Sequence, residues 1–138
     1  MSSSPRNTRL AAYGVMRVDG ALLLVRESER SDAPGTWRLP GGGVTFGEHP
    51  ADAVVTEFAE ETGFSVAVEG DPVVLSDVVD RGERGELHTV RLCFVVSLLG
   101  GELAHEVDGT TDLAKWVDEA DVDRLPLQSY VREALAIR

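Results

Sequence analysis

Three glutamates, Glu57, Glu60 and Glu61, stand at i, i+3 and i+4 in the segment PADAVVTEFAEETGF. At helical spacing these positions are neighbours, so their carboxylates converge. For an isolated helix the arrangement is unfavourable. Like charges four residues apart repel by roughly a few tenths of a kcal/mol, and anions near a helix C-terminus oppose the dipole. The segment holds no lysine to relieve them. One reading is a solvated acidic face. The other is a divalent-cation site, because carboxylate oxygens are the hard ligands that magnesium and manganese take. The loop ahead of the triplet weighs toward the second. Gly41, Gly42, Gly43 and Gly47 allow a sharp turn with little side-chain bulk. A carbonyl of Gly41 or Gly42 can then join a metal site, and bare amides can meet phosphate oxygens. Glu48 stands just before the helix, where the dipole favours a carboxylate.

The elements that must position these residues follow from local pattern. Pro50 suits the first turn of a helix and Gly63 its C-terminal cap, which bounds a helix over 50–62. Placed at 100° steps, Ala51, Val54, Val55 and Phe58 form its core stripe. The runs LAAYGVMRV and ALLLVRES are joined by Asp19-Gly20, a hairpin signal. WRLP is a short extended piece, and SVAVEG and PVVLSDVV are two strands. DRGERGE is a solvated turn. LHTVRLCFVVSLL, rich in β-branched residues, is a central strand with Cys93 in the core. GGELAHEVDGTTD is an acidic loop, LAKWV a last strand, DEADVDRL a helical turn and LQSYVREALAIR a C-terminal helix. Residues 1–8 are polar and expected to fray. The rest, 9–138, reads as one domain of α+β class.

Composition narrows the function classes. The chain has 138 residues and a formal net charge of −11. A general nucleic-acid binder would carry a basic stripe instead. A phosphorylated small molecule stays open if a cation sits between acids and phosphates. One cysteine builds neither a disulfide framework nor a thiolate metal site. MSSSPRNTR lacks the apolar core of a signal peptide, and the apolar runs are too short to span a membrane. A cytoplasmic location and no membrane partner are therefore expected.

The glycine-to-glutamate segment resembles the signature of the Nudix hydrolase family. Gly42, five residues, Glu48, seven residues, then Thr56 in the place of the family's arginine, followed by Glu57, Phe58, Glu60, Glu61, Gly63 and Phe64, stand in that register over 23 residues, and WRLPGG resembles the usual lead-in. The resemblance implies an α/β/α sandwich with a mixed sheet between helices. It implies hydrolysis of the phosphoanhydride of a nucleoside diphosphate linked to another moiety, supported by Mg2+ or alternatively Mn2+. Glu57, Glu60 and Glu61 become the metal ligands, with Gly41 or Gly42 completing the shell and Glu48 in the catalytic set. The base that takes water's proton is Glu57 or an acid of the later loop: Glu102, Glu106, Asp108 or Asp112. Arg26 and Arg38 are candidates for phosphate, and Trp37 for stacking on a base. Family members often form homodimers.

One position departs. Thr56 stands where the family carries arginine. Another cation, from Arg26, Arg38 or Arg91, then steers the acids, or the metal holds without it, or catalysis is weakened. Substrate choice is less legible. The downstream proline of ADP-ribose hydrolases is missing from SDVVDRG, Pro72 coming too early, and no tyrosine of the dinucleoside-polyphosphate type occurs there. What remains is similar to the MutT-like group. It points first to a nucleoside triphosphate or modified nucleotide, then to ADP-ribose or a sugar nucleotide. A catalytically weak nucleotide-binding or sensing module is the alternative.

Overall fold

A computed structural model describes residues 4–138. Eight strands and two α-helices follow in the order β1 (Arg6–Val15), β2 (Arg17–Val18), β3 (Ala21–Glu27), β4 (Trp37–Arg38), β5 (Gly41–Gly43), α1 (Pro50–Thr62), β6 (Phe64–Asp80), β7 (Glu86–Gly101), β8 (Thr111–Asp118) and α2 (Tyr130–Ala134). Short 3-10 turns cover Gly82–Arg84 and Glu119–Arg124. β5, β1, β7 and β6 form one sheet in that order. It is mixed, since β1 runs parallel to β7 while β5 and β6 join antiparallel. In the second sheet β3 pairs with β2, β4 and β8.

Alternation along β1 divides the core. Ala11, Tyr13 and Val15 enter one cluster with Cys93, Trp37, Tyr130 and Val131. Ala12 and Met16 enter the other with Val54, Phe58, Phe94 and Val96. The larger helix thus covers one face of the mixed sheet, and the C-terminal segment covers part of the other. This is the expected sandwich.

α1 has the expected bounds. His49 caps its N-terminus, its Nδ1 accepting from the Ala51 N–H at 3.1 Å, and Pro50 opens the first turn. Gly63 closes it with φ of 79°. The stripe is shifted from the expected one: Ala53, Val54 and Phe58 are buried, whereas Val55 is exposed. Gly14 sets the depth of docking, because a β-carbon there would collide with the Phe58 ring.

Several strand expectations need correction. Asp19 and Gly20 do form a turn with positive φ at both residues, 51° and 79°. The hairpin it closes is only β2–β3, because the chain leaves one sheet after Val15 and enters the other. SVAVEG and PVVLSDVV are one strand, interrupted by a register shift between Glu69 and Val73. The C-terminal helix is shorter than expected, five residues. Residues 6–8, expected to fray, pair with Glu86, Leu87 and His88, because the long β7 offers them a free parallel edge; residues 1–3 lie outside the described part.

Candidate active site

The bare edge of the mixed sheet builds the site. β5 consists of Gly41, Gly42 and Gly43 alone, so no side chain stands between α1 and the opposite face. Gly41 adopts φ of 146°, and a β-carbon there would overlap the Ala12 carbonyl. A β-carbon on Gly42 would lie 3.4 Å from the Glu57 carboxyl carbon. Glu57 and Glu61 therefore reach past the edge into a cleft of about 620 Å³.

Glu61 is 2% exposed and held from two sides. Its Oε1 accepts from the Gly41 N–H at 2.8 Å, and its Oε2 accepts from Arg38 Nη2 at 2.8 Å. Arg38 is buried beside it. Its Nε donates to Glu27 Oε1 at 3.0 Å, and its Nη1 donates to the carbonyls of Leu39 and Gly41 at 2.9 and 3.1 Å. Burial works against the charged guanidinium, but Glu61 and Glu27 together hold its pKa above the ordinary arginine value. For Glu61 burial is the larger influence and pushes its pKa up, against the pull of Arg38 and the Gly41 N–H.

Glu57 is different. It is half-buried, and no hydrogen bond to it occurs among the described residues. Burial first, then the charges of Glu61 and Glu60, push its pKa up to about 7. The charge of Arg38 pulls the other way but is outweighed. The charge of Glu106 also reaches both Glu57 and Glu61. Hard, anionic and under-neutralised, this donor set fits a divalent cation. Among the described residues no three acidic, histidine or cysteine side chains already converge on one metal position.

The other expected residues fall in several places. Glu60 is exposed and outside the cleft lining. Glu48 sits in the turn before α1, accepting from the Thr45 N–H at 3.2 Å. Gly41 and Gly42 both line the cleft, but the Gly41 carbonyl already accepts from Arg38. Arg26 is paired with Asp112 at 2.8 Å, which removes both from the open cleft. Trp37 is buried in the core cluster and offers no stacking face. Arg38 is buried and makes four hydrogen bonds to protein partners, rather than standing free for phosphate. Glu102 is exposed, and Asp108 faces Arg30 at 3.7 Å. Of the loop acids, Glu106 alone is felt by both Glu57 and Glu61. It is anchored by Thr111, whose Oγ1 donates to Glu106 Oε1 at 3.0 Å.

Sequence reading missed the far part of the cleft. Arg9, Arg81 and Arg84 line it, together with Arg91, which the sequence offered only as a cation to steer the acids. The segment DRGERGE, read as a solvated turn, is the tip of the β6–β7 hairpin and forms one of its walls. Arg9 on β1, Arg81 and Arg84 in the turn and Arg91 on β7 are far apart in the chain, and the pairing of Arg9 with Thr89 that brings the two strands together is not visible without the register.

The family model described as NUDIX domain matches residues 6–136. The chain is 32% identical over 126 residues to an ADP-ribose pyrophosphatase of Methanocaldococcus jannaschii, covering 91% of this chain and 69% of that protein. It is 30% identical over 128 residues to the nucleoside triphosphatase NudI of Escherichia fergusonii, covering 87% and 89%. The crystal structure of a MutT NUDIX hydrolase from Burkholderia pseudomallei superposes with a TM-score of 0.76 at 27% identity, covering 93% of this chain and 95% of that one.

Proposed function

This chain belongs to the Nudix hydrolase family, and we propose that it hydrolyses the phosphoanhydride of a nucleoside diphosphate linked to a further group, with a divalent cation, Mg2+ or Mn2+, held at Glu57 and Glu61. The observation that carries this reading is Glu57, a half-buried carboxylate without a partner, raised to about 7, at the glycine edge of the cleft. Glu60 and Glu106 add negative charge around it. When bound, the cation supplies charge neutralisation and Lewis acidity to the diphosphate.

The chain's own residues do the rest. Arg38 locks Glu61 and the Gly41 carbonyl in place, so that part of the site is organised before substrate arrives. The absence of side chains on β5 lets phosphate oxygens approach the backbone. Glu57 and Glu106 are the candidates to take the proton of the attacking water. Arg38 also supplies the cation that Thr56 does not, from a strand rather than from the helix. We place the protein in the cytoplasm, acting on a small-molecule nucleotide and not on nucleic acid, with a homodimer as the assembly to test. No described helix is long and apolar enough to cross a membrane.

A nucleoside triphosphate or a modified nucleotide is the first substrate to test, followed by ADP-ribose and sugar nucleotides. One observation favours a second reading, a nucleotide-binding module without turnover: both oxygens of Glu61 are already engaged by the protein. The deciding experiment incubates the protein with each substrate class and Mg2+ or Mn2+, identifies products by mass, and runs Glu57→Gln in parallel. Turnover by the wild type alone supports the hydrolase. Nucleotide binding with no turnover on any substrate would move the assignment to the binding module.

A further inference from the structure

The cleft concentrates cations in a protein that is short of them. The chain has 24 acidic and 13 basic residues, yet six arginines line this one cleft: Arg9, Arg30, Arg38, Arg81, Arg84 and Arg91. With nearly two acids for every base, an arginine without an acidic neighbour is unexpected. Ten of the twelve arginines do reach a carboxylate within 4.0 Å. Among the described residues the two that reach none are Arg9 and Arg81, and both line the cleft.

Their surroundings keep them available. Arg9 lies beside the bare edge, its Nε 3.7 Å from where a β-carbon on Gly43 would stand. Arg81 is at the hairpin tip, where its Nη2 donates to the Arg84 carbonyl at 3.0 Å. Its Nε is buried and has no hydrogen-bond acceptor. The Nε of Arg91 is likewise buried and without an acceptor, while its Nη1 is held by Asp77 at 2.9 Å and its guanidinium stacks 4.4 Å above Tyr130. Arg84 lies 4.0 Å from Asp32, with both side chains exposed, so that contact leaves its charge largely free. A buried guanidinium N–H without an acceptor costs free energy, which a bound anion would recover.

We propose that Arg9 and Arg81, assisted by Arg84 and Arg91, form a polyphosphate subsite that binds a phosphate beyond the diphosphate held at Glu57 and Glu61. This rests on the hydrolase reading for its substrate, and it selects within it. A nucleoside triphosphate carries the extra phosphate. ADP-ribose places an uncharged ribose there and leaves the arginines unsatisfied. The arginine end thereby sets specificity by penalising the substrate that lacks the anion.

The test compares Arg9→Gln/Arg81→Gln with Arg124→Gln/Arg132→Gln, which removes equal charge outside the cleft. The first pair breaks no salt bridge, and thermal melting checks its fold. The readout is kcat/KM for a nucleoside triphosphate divided by kcat/KM for ADP-ribose. The cleft variant is expected to lower this ratio at least about tenfold, the scale of losing a charge-assisted hydrogen bond, and the control to leave it within about twofold. Equal ratios in the two variants would overturn the subsite. Arg84→Gln, at the exposed tip, gives a smaller change in the same direction and serves if the double variant does not fold; no change there would also count against it. A second measurement does not need turnover: inorganic tripolyphosphate is titrated into metal-free protein by calorimetry. Binding that weakens at least about tenfold in the cleft variant alone supports the subsite even if no substrate is hydrolysed. Equal affinity in both variants would sink it while leaving the hydrolase reading intact.

Discussion

The acidic and basic ends of the cleft are built by opposite means. At the acidic end, Glu61 and Arg38 are buried, and each is fixed by several short hydrogen bonds. At the basic end, Arg9 and Arg84 are exposed on a strand end and a hairpin tip, with no buried ion pair to hold them. The difference reflects what each end does. Groups that must hold a cation in a fixed geometry gain from being set in advance, and burial strengthens their electrostatics at a cost in desolvation. Groups that gather a flexible phosphate chain need charge and reach, which long solvated side chains supply cheaply. Damage at the acidic end should therefore show in stability as well as turnover, and damage at the basic end in selectivity alone.

The largest effect is expected at Arg38. Arg38→Ala leaves Glu61 buried with its partner gone and frees the Leu39 and Gly41 carbonyls together. Breaking one side of a buried pair costs roughly 3–5 kcal/mol. The melting temperature should fall by more than about 10 °C, with turnover lost. A variant that melts like wild type would show that the buried pair is not what organises this end. Glu61→Gln is milder for the fold, because the amide oxygen can still accept one of the two hydrogen bonds. It removes a metal-ligand charge, so turnover should fall at least roughly a hundredfold while the protein remains folded. Near-normal turnover would remove Glu61 from the site.

Glu57→Gln separates the two roles of charge at the same end. Its folded-state pKa, about 7, lies above the ordinary 4.5, so the folded protein binds this proton more tightly than the unfolded chain does. Stability of the metal-free protein therefore falls as pH rises from the ordinary value through about 7, and the full cost is present above that. Glutamine removes the cost. At pH 8 without metal the variant should melt about 2–5 °C above wild type, after allowing for solvent screening at a half-buried group. The gap should close below the ordinary carboxylate pKa. Added magnesium should raise the melting temperature of the wild type and not that of the variant. A variant less stable than wild type at pH 8 would contradict the under-neutralised state assigned to Glu57. Metal-dependent turnover should also decline as pH falls below about 7, since cation and proton compete for the same oxygens.

The two ends also differ in how far they could be read from the chain. Glu57 and Glu61 sit four apart on one helix, so their convergence is a local property, and Pro50 and Gly63 made the helix itself legible. The arginine end depends on register. Arg9 lines the cleft beside β7 because β1 runs parallel to it, and Arg81 lines it because the β6–β7 ladder extends as far as Asp80 and Glu86, next to the hairpin tip. Neither pairing leaves a local trace. Arg38 was visible as a candidate cation, but not as a buried one. A two-residue strand has too few positions for alternation to tell its inward face, and the acids that neutralise Arg38 lie 11 and 23 residues away. Trp37, on the same two-residue strand, faces the core, and Arg26 on β3 is taken by Asp112 from the distant β8, a pairing that leaves no local trace.

The smallest effect sharpens the comparison most. Thr56 is exposed on α1, and the cation that steers Glu61 arrives instead from β4. If Arg38 has taken over that task, Thr56→Arg adds a solvated charge beside Glu60 and little else. Such an exposed pair is worth at most about 1 kcal/mol. Turnover should change by less than about threefold and the melting temperature by no more than about 2–4 °C. The informative experiment places it on Arg38→Ala. There the added arginine has no carbonyls to bind and cannot reach the buried interior from an exposed helix position, so it should restore neither stability nor turnover. Rescue of turnover in the double variant would mean that the acidic end needs only a nearby positive charge, and that the buried geometry around Glu61 is incidental to the chemistry.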